Sequence, residues 1–274
     1  MKNIIKSIGL FSLILFSFFY SEKVMEVVKE NDSLMIEIKN NMKNYKINSI
    51  DAIIEGDTIV PGISGKTINV DKSYKKMKKY NIFNDALIEY DVVKPNISVD
   101  NNLDKYIIKG REYIYIVFIL NDIKYINNFI EVVKDNKINI FVDNKIITNN
   151  LDILYKINAY ELYNYGNNGN YTNELLLMNN NIINNIANNK SNICLNINKD
   201  NNILNICKDN DMFSINPLII ESNDNYNNIK NNIEDGSIIS LQINKKNIEE
   251  INNIISYVKK KGYKLNYLSE LVKE

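Results

Sequence analysis

Apolar residues recur along this chain with two periods, and the places where the period changes mark its elements. Residues 8–20 carry no charge, and Leu10, Phe11, Leu13, Ile14, Leu15, Phe16, Phe18 and Phe19 follow one another there almost without polar interruption. Residues 22–44 read as a polar-rich helix interrupted near Asn31, Asp32 and Ser33. Residues 51–60 and 67–70 are predicted as strands around a turn at 61–66, with Asp71 as the N-cap of a short helix and 87–93 as another extended piece.

From Tyr113 onward the alternation becomes regular. Residues 113–120 are strand-like, and 123–135 place Ile126, Phe129, Ile130 and Val133 on one helical face. Strands are predicted again at 138–142, 159–163, 192–195, 212–219, 237–241 and 264–267, with a long helix over 172–188. The clearest helix starts at Asn247, pairs it with Glu250 as a capping box, buries Ile248, Ile251, Ile254, Ile255 and Val258, and stops at Gly262. Helices between short apolar strands imply an α/β fold built on a parallel sheet or barrel.

Composition modifies this picture in three places. About a fifth of the residues are asparagine, but isoleucine and leucine interleave with them at helical spacing, which favours packed helices over a polar tract. Lys plus Arg and Asp plus Glu number 33 each and are dispersed, so no nucleic acid partner is expected. The densest basic run, Lys75, Lys76, Lys78 and Lys79, falls on the solvated side of the helix near Asp71, with Tyr74 and Met77 turned inward.

Lys2 and Lys6 precede the apolar run 8–20, the form of a signal segment. As a helix the run rises roughly 20 Å, short of a hydrocarbon core of about 30 Å, although Ile4, Ile5 and Lys6 extend it. The bulky Phe18-Phe19-Tyr20 offers no small-x-small cleavage site, so an uncleaved anchor is expected, with the lysines cytoplasmic and the bulk of the chain outside a cell membrane. The competing reading is a buried core helix. Export would permit a disulfide between Cys194 and Cys207; two separately buried thiols fit the sequence equally well.

Gly62-Ile63-Ser64-Gly65-Lys66-Thr67 invites a nucleotide-binding reading. A phosphate loop needs a glycine where Val60 stands and must open a helix, whereas 68–70 is extended. A β-turn using glycine's conformational freedom explains the same residues.

The ending Gly236-Ser237-Ile238-Ile239, a helix, then Lys261-Gly262-Tyr263-Lys264 and Leu268-Ser269-Glu270-Leu271 resembles the close of the NodB-homology domain of polysaccharide deacetylases. Residues 137–143 and 161–166 resemble that family's second strand and the start of its metal motif. The resemblance covers roughly 104–274 and implies an irregular (β/α) barrel, preceded by an anchor at 1–24 and a helical connector with a small α+β module at 25–103.

The family's activity is zinc-assisted hydrolysis of N-acetyl groups on sugar polymers. Position by position, its paired carboxylates fall on Ile119 and Leu120, its two metal histidines on Tyr165 and Gly169, and its late catalytic histidine on Gln242. Its arginine-proline motif falls near residues 194–197, which hold neither type. No histidine exists anywhere in the chain, so neither a bound metal nor any other cofactor is expected.

Two functions stay open. The first is a non-catalytic module that binds envelope glycan or an envelope protein, with Tyr160, Tyr163, Tyr165 and Tyr171 as candidate cleft aromatics; the competing account makes these tyrosines space-fillers. The alternative is a hydrolase of N-acetyl C–N bonds working through a non-standard site, for which Ser237 and Ser240 have no imidazole to activate them.

Overall fold

The computed structural model describes the backbone of residues 2–274 and the side chains of residues 16–274. The side chains of residues 8–15, most of the expected anchor, lie outside the described residues. Among the described residues no helix is long and apolar enough to cross a membrane.

The chain opens with α1 (Lys2–Glu30) and α2 (Ser33–Tyr45), separated where the polar interruption stands; Asp32 caps α2 by accepting from the Leu34 amide. Then come β1 (Ile53–Glu55), β2 (Thr58–Val60), β3 (Gly65–Ile68), α3 (Val70–Met77) and β4 (Tyr90–Val93). The hairpin turn is at Gly56, whose φ of 60° suits glycine, and not at 61–66. Gly62 and Gly65 are needed for a different reason from the one expected. A β-carbon on Gly62 would sit 2.4 Å from the Ile50 carbonyl oxygen, and one on Gly65 would sit 2.2 Å from that of Ile47. The cap of α3 is also displaced: Asn69 is extended and its side chain accepts from the Lys72 amide, which leaves Asp71 inside the first turn.

Two compact units result. Unit 1 comprises Met1–Ser49 and Ser64–Val93, and unit 2 comprises Ile50–Ile63 and Lys94–Glu274. In unit 1, β3 and β4 pair antiparallel, and Leu34, Ile38, Ile68 and Met77 form its core.

Unit 2 continues with β5 (Tyr106–Ile107), β6 (Tyr113–Leu120), α4 (Ile126–Val133), β7 (Asn139–Val142), α5 (Asn144–Asn149), α6 (Leu151–Ile157), β8 (Glu161–Asn164) and α7 (Asn173–Ile186). It ends with β9 (Ile193–Leu195), α8 (Asn201–Asp209), β10 (Phe213–Ile215), β11 (Ile219–Ile220), α9 (Asn225–Asn232), β12 (Ile238–Gln242), α10 (Lys245–Lys260), β13 (Lys264–Leu265) and α11 (Leu268–Val272). Asn216 and Pro217 split the single strand expected at 212–219, since proline offers no amide to a ladder. Helix α10 starts earlier than its capping-box pattern suggests, because Asn244 accepts from the Asn247 amide.

The strands of unit 2 form two ladders, and no backbone pairing among the described residues joins them into the irregular (β/α) barrel that the resemblance implies. One is parallel, in the order β11-β12-β6-β7-β8, with β13 paired to the start of β6; the other runs β1-β2-β5-β10-β9. Because β2 lies parallel to β5, residues 50–63 belong with the later unit. Along β6 the side chains alternate. Ile114, Ile116, Phe118 and Leu120 join a core with α4 and α10, while Tyr115, Val117 and Ile119 join a second core that also takes residues of β2, β5, β9 and β10.

Between β8 and β9 no backbone ladder forms. Side chains bridge the seam: the Leu162 amide donates to Asn189 Oδ1 (2.9 Å), Asn189 Nδ2 donates back to the Leu162 carbonyl (3.0 Å), and the Asn164 amide donates to Ser191 Oγ (3.1 Å). These are the contacts a neighbouring strand would otherwise supply. Some of the abundant asparagine therefore substitutes for backbone.

Candidate functional site

Chemistry in open parallel sheets gathers at the carboxyl ends of the strands, where loops carry side chains beyond the ladder. At the end of β6, Ile119 is buried in the second core and Leu120 faces the first, fully enclosed. Asp122, two residues on, is exposed and its carboxylate accepts from the Lys124 amide (2.9 Å). Gln242 lies beside Ile119 in parallel register and is exposed. Its backbone N–H donates to Glu221 Oε2 (2.7 Å) and its backbone carbonyl accepts from Asn247 Nδ2 (2.8 Å), so the strand end is tied down by one side chain after β11 and one from the first turn of α10.

The loop after β8 is compact. Gly166 and Gly169 have φ of 67° and 83°, and the Asn167 amide donates to the Asn170 carbonyl (2.9 Å). Tyr165 is half-buried, and its hydroxyl lies 3.1 Å from where a β-carbon on Gly169 would stand. Asp143, at the end of β7, is buried; it caps α5 through the Lys145 amide (2.9 Å) and accepts from the Asn168 amide with its other oxygen (2.6 Å). Burial raises the Tyr165 phenol above its ordinary range, and the negative charge of Asp143 adds to that.

The four candidate tyrosines do not form one surface. Tyr160 precedes β8 and packs at the edge of Phe129, ring centroids 6.4 Å apart, with its hydroxyl on the Lys134 carbonyl (3.1 Å). Tyr163 is stacked on Phe141 in the second core, at 5.1 Å. Tyr171 is buried at the β8/β9 seam, its hydroxyl donating to the Asn164 carbonyl and accepting from the Leu195 amide, each at 3.1 Å. A four-residue strand spans about 13 Å, which puts residues 160 and 165 at opposite ends of β8. Only Tyr165 of the four lines the hollow at the strand ends.

That hollow has a volume of about 320 Å³, and its walls include Tyr165, Asn168, Asn170, Asn196, Asn198 and Asp200. Asn196 is committed: its side chain exchanges hydrogen bonds with the Asp200 backbone (2.8 and 2.9 Å). The far wall is the start of α8, and α8 is fastened to β9 by a disulfide between Cys194 and Cys207, with Cα atoms 6.4 Å apart. Both cysteines sit in a small core with Tyr171, Leu176 and Met212. Of the two arrangements open from the sequence, the bridge is the one this geometry contains.

Sequence reasoning missed a buried polar group at the opposite end of β8. Glu161 accepts from Tyr163 Oη (2.6 Å) and the Ser269 amide (3.0 Å), and it bonds the Ser269 hydroxyl as well. Burial, followed by the Glu161 charge, pushes the Tyr163 phenol well up. Asn139, fully enclosed, donates to the Ile116 carbonyl (3.1 Å) and accepts from the Leu268 amide (2.8 Å). Together these two side chains hold the first turn of α11 to the sheet. The signal for them is a polar residue opening an otherwise apolar strand.

The donor set does not suit a catalytic zinc ion. Such a site needs about three protein ligands, usually with imidazole. Both oxygens of Asp143 already accept from backbone amides, and among the described residues no three His, Cys, Asp or Glu side chains come together.

No family model matches the chain. The uncharacterized protein YlxY of Bacillus subtilis (strain 168) is 25% identical over 184 residues, 58% of this chain and 58% of that protein; the chain thus spans little more than half the length of that relative. Among solved structures, BA3943 of Bacillus anthracis, a CE4 family pseudoenzyme, superposes with a TM-score of 0.64 at 21% identity, covering 88% of this chain and 95% of that one. A BA3943 mutant with restored enzymatic activity gives a TM-score of 0.65 at 20% identity, over 88% and 98%. The family 4 carbohydrate esterase PdaA of Bacillus subtilis gives 0.52 at 14% identity, over 62% and 86%. This chain has the α/β fold of the CE4 polysaccharide deacetylases, and it resembles the pseudoenzyme over more of its length than it does PdaA.

Proposed function

We propose that this protein is a catalytically silent relative of the polysaccharide deacetylases that holds cell-envelope glycan in the asparagine-lined hollow at its strand ends. The carrying observation is the packing of Tyr165 over Gly169 while Ile119 and Leu120 turn into hydrophobic cores. The positions that resemblance gives to two carboxylates and two histidines are occupied by groups that neither ligate a cation nor move a proton near neutral pH. What the hollow retains is amide, carboxylate and phenol, donors and acceptors suited to sugar hydroxyls, around one aromatic face.

The similarity to a solved pseudoenzyme of this fold supports catalytic silence, and the similarity to PdaA, a carbohydrate esterase, supports a glycan as the partner. On this proposal residues 1–24 attach the chain to a cell membrane by one N-terminal anchor, the bulk lies outside, and 104–274 carry the deacetylase-like part. The exposed aromatic end of the apolar run, Phe16, Phe18, Phe19 and Tyr20, supports attachment.

The test is acetate release from chitin and peptidoglycan oligomers, elemental analysis for zinc, and calorimetric titration with the same oligomers. No acetate, no stoichiometric zinc, and oligomer binding weakened at least several-fold by Tyr165→Ala are expected. Chelator-sensitive acetate release would overturn catalytic silence, and equal binding by the Tyr165→Ala protein would overturn the site.

A further inference from the structure

Unit 1 carries a charge pattern that the glycan reading leaves unused. Helix α3 is only eight residues long, yet its sequence and the turn after it hold Lys72, Lys75, Lys76, Lys78 and Lys79. Read alone, this is a solvated helix face. The structure adds a second wall: Lys29, from the last turn of α1, converges on α3 and closes a hollow of about 690 Å³ with Lys72, Tyr74, Lys75, Lys78 and Lys79. The ammonium groups of Lys29 and Lys78 each lie 5.8 Å from the centre of the Tyr74 ring.

Five lysines line this hollow against a single acid, Asp71. Lys29 is paired with Asp71, and Lys78 with Asp32. Lys76, on the flank, is paired with Glu89. Lys72, Lys75 and Lys79 make no ion pair among the described residues, and all three line the hollow, the first two from α3 and Lys79 from the turn after it. Like charges gathered without counter-ions repel one another, so the arrangement favours a polyanion over open water.

The same helix α1 supplies the context. Phe16, Phe18, Phe19 and Tyr20 are between 64% and 78% exposed, and Lys29 stands nine positions after Tyr20. At 1.5 Å per residue that is about 14 Å. That spacing is less than two Debye lengths, each about 8 Å at physiological ionic strength.

We propose that the lysine-walled hollow between α1 and α3 binds the phosphate headgroups of anionic lipids, holding unit 1 against the membrane face from which the chain emerges. The proposal rests on the membrane-attached reading of the N-terminal segment. Lys72, Lys75 and Lys79 supply the free cations, and Tyr74 gives the hollow an aromatic floor. Lysines near an anionic surface each contribute about fivefold in affinity.

The experiment is co-sedimentation of the full chain with phosphatidylcholine vesicles, with and without phosphatidylglycerol, at low and high salt. Two triple variants are compared with the unaltered chain: Lys72→Glu/Lys75→Glu/Lys79→Glu, and the charge-matched Lys208→Glu/Lys230→Glu/Lys260→Glu on exposed positions of unit 2. The first is expected to lose most of the affinity gained from phosphatidylglycerol, on the order of tenfold or more at low salt, and the second to keep it. Binding of all three to neutral vesicles should be equal.

Retention of the gain by the first variant, or its equal loss by the second, would overturn the proposal. Binding to soluble polyphosphate that depends on these lysines, without a matching gain on vesicles, would overturn the lipid as ligand. Absence of binding to neutral vesicles would count against the N-terminal anchor alone, since the difference between vesicle types reads the lysines independently.

Discussion

The hydroxyl of Tyr165 lies 3.1 Å from where a β-carbon on Gly169 would stand. The two residues therefore exclude a second side chain from the loop after β8: the ring fills the space, and the glycine backbone at φ 83° permits the loop to fold under it. Resemblance puts metal ligands at these two positions, and here they are spent on packing.

Gly169→Ala is expected to destabilise the fold by about 1–2 kcal/mol for the left-handed backbone, with a further contact penalty. In a Tyr165→Ala background the contact part should vanish and the backbone part remain. Urea midpoints of the four proteins in the cycle measure both; strict additivity would mean that the ring and residue 169 do not touch.

Tyr171→Phe removes a hydroxyl that serves the Asn164 carbonyl and the Leu195 amide across the β8/β9 seam. Both groups are buried, so the expected loss is about 1–3 kcal/mol. Hydrogen exchange at the Leu195 amide should accelerate more than exchange within β6, which is laddered to β12 and β7 on its two sides.

Reduction of the Cys194–Cys207 bridge, or its replacement by two alanines, should lower stability by about 2–4 kcal/mol, given a closed loop of this length. Denaturation with and without dithiothreitol reads the effect. The alanine pair should be insensitive to the reductant, and an unaltered chain that is equally insensitive would show the thiols to be unjoined.

Alkaline pH should weaken the fold. Burial holds the phenols of Tyr115, Tyr163 and Tyr171 above their ordinary value, with neighbouring acids adding to the effect at Tyr115 and Tyr163. A raised folded pKa means that the unfolded chain releases these protons first. Their contribution is thus complete below about pH 10 and declines as pH rises from there toward the folded values. Tyrosinate absorbance followed through an alkaline titration should show these groups ionising only together with unfolding.

Periodicity was enough to place β6, β7, α4, α7 and α10 within a few residues, because each buries a face whose repeat is local. It located the break between α1 and α2, but it misplaced the caps of α3 and α10. Asn69 and Asn244 compete there with equally plausible neighbours, and the choice depends on which backbone is extended in three dimensions. The close approaches at Gly62 and Gly65 were illegible for a related reason: their partners, Ile50 and Ile47, are distant along the chain.

The sequence by itself excluded the histidine-based donor set that the resemblance implies, since the chain has no histidine and Ile119 and Leu120 stand where the resemblance puts carboxylates. It also determined the alternation of strand and helix, a property of neighbouring residues. Only the tertiary structure decided which tyrosines are buried, that Asp143 is already engaged by backbone amides, that Cys194 meets Cys207, and that Lys29 joins the lysines of α3. Apart from the Lys145 amide on Asp143, which is a local cap, these are contacts between different elements, fixed by the packing of strands and helices within each unit rather than by the local repeat.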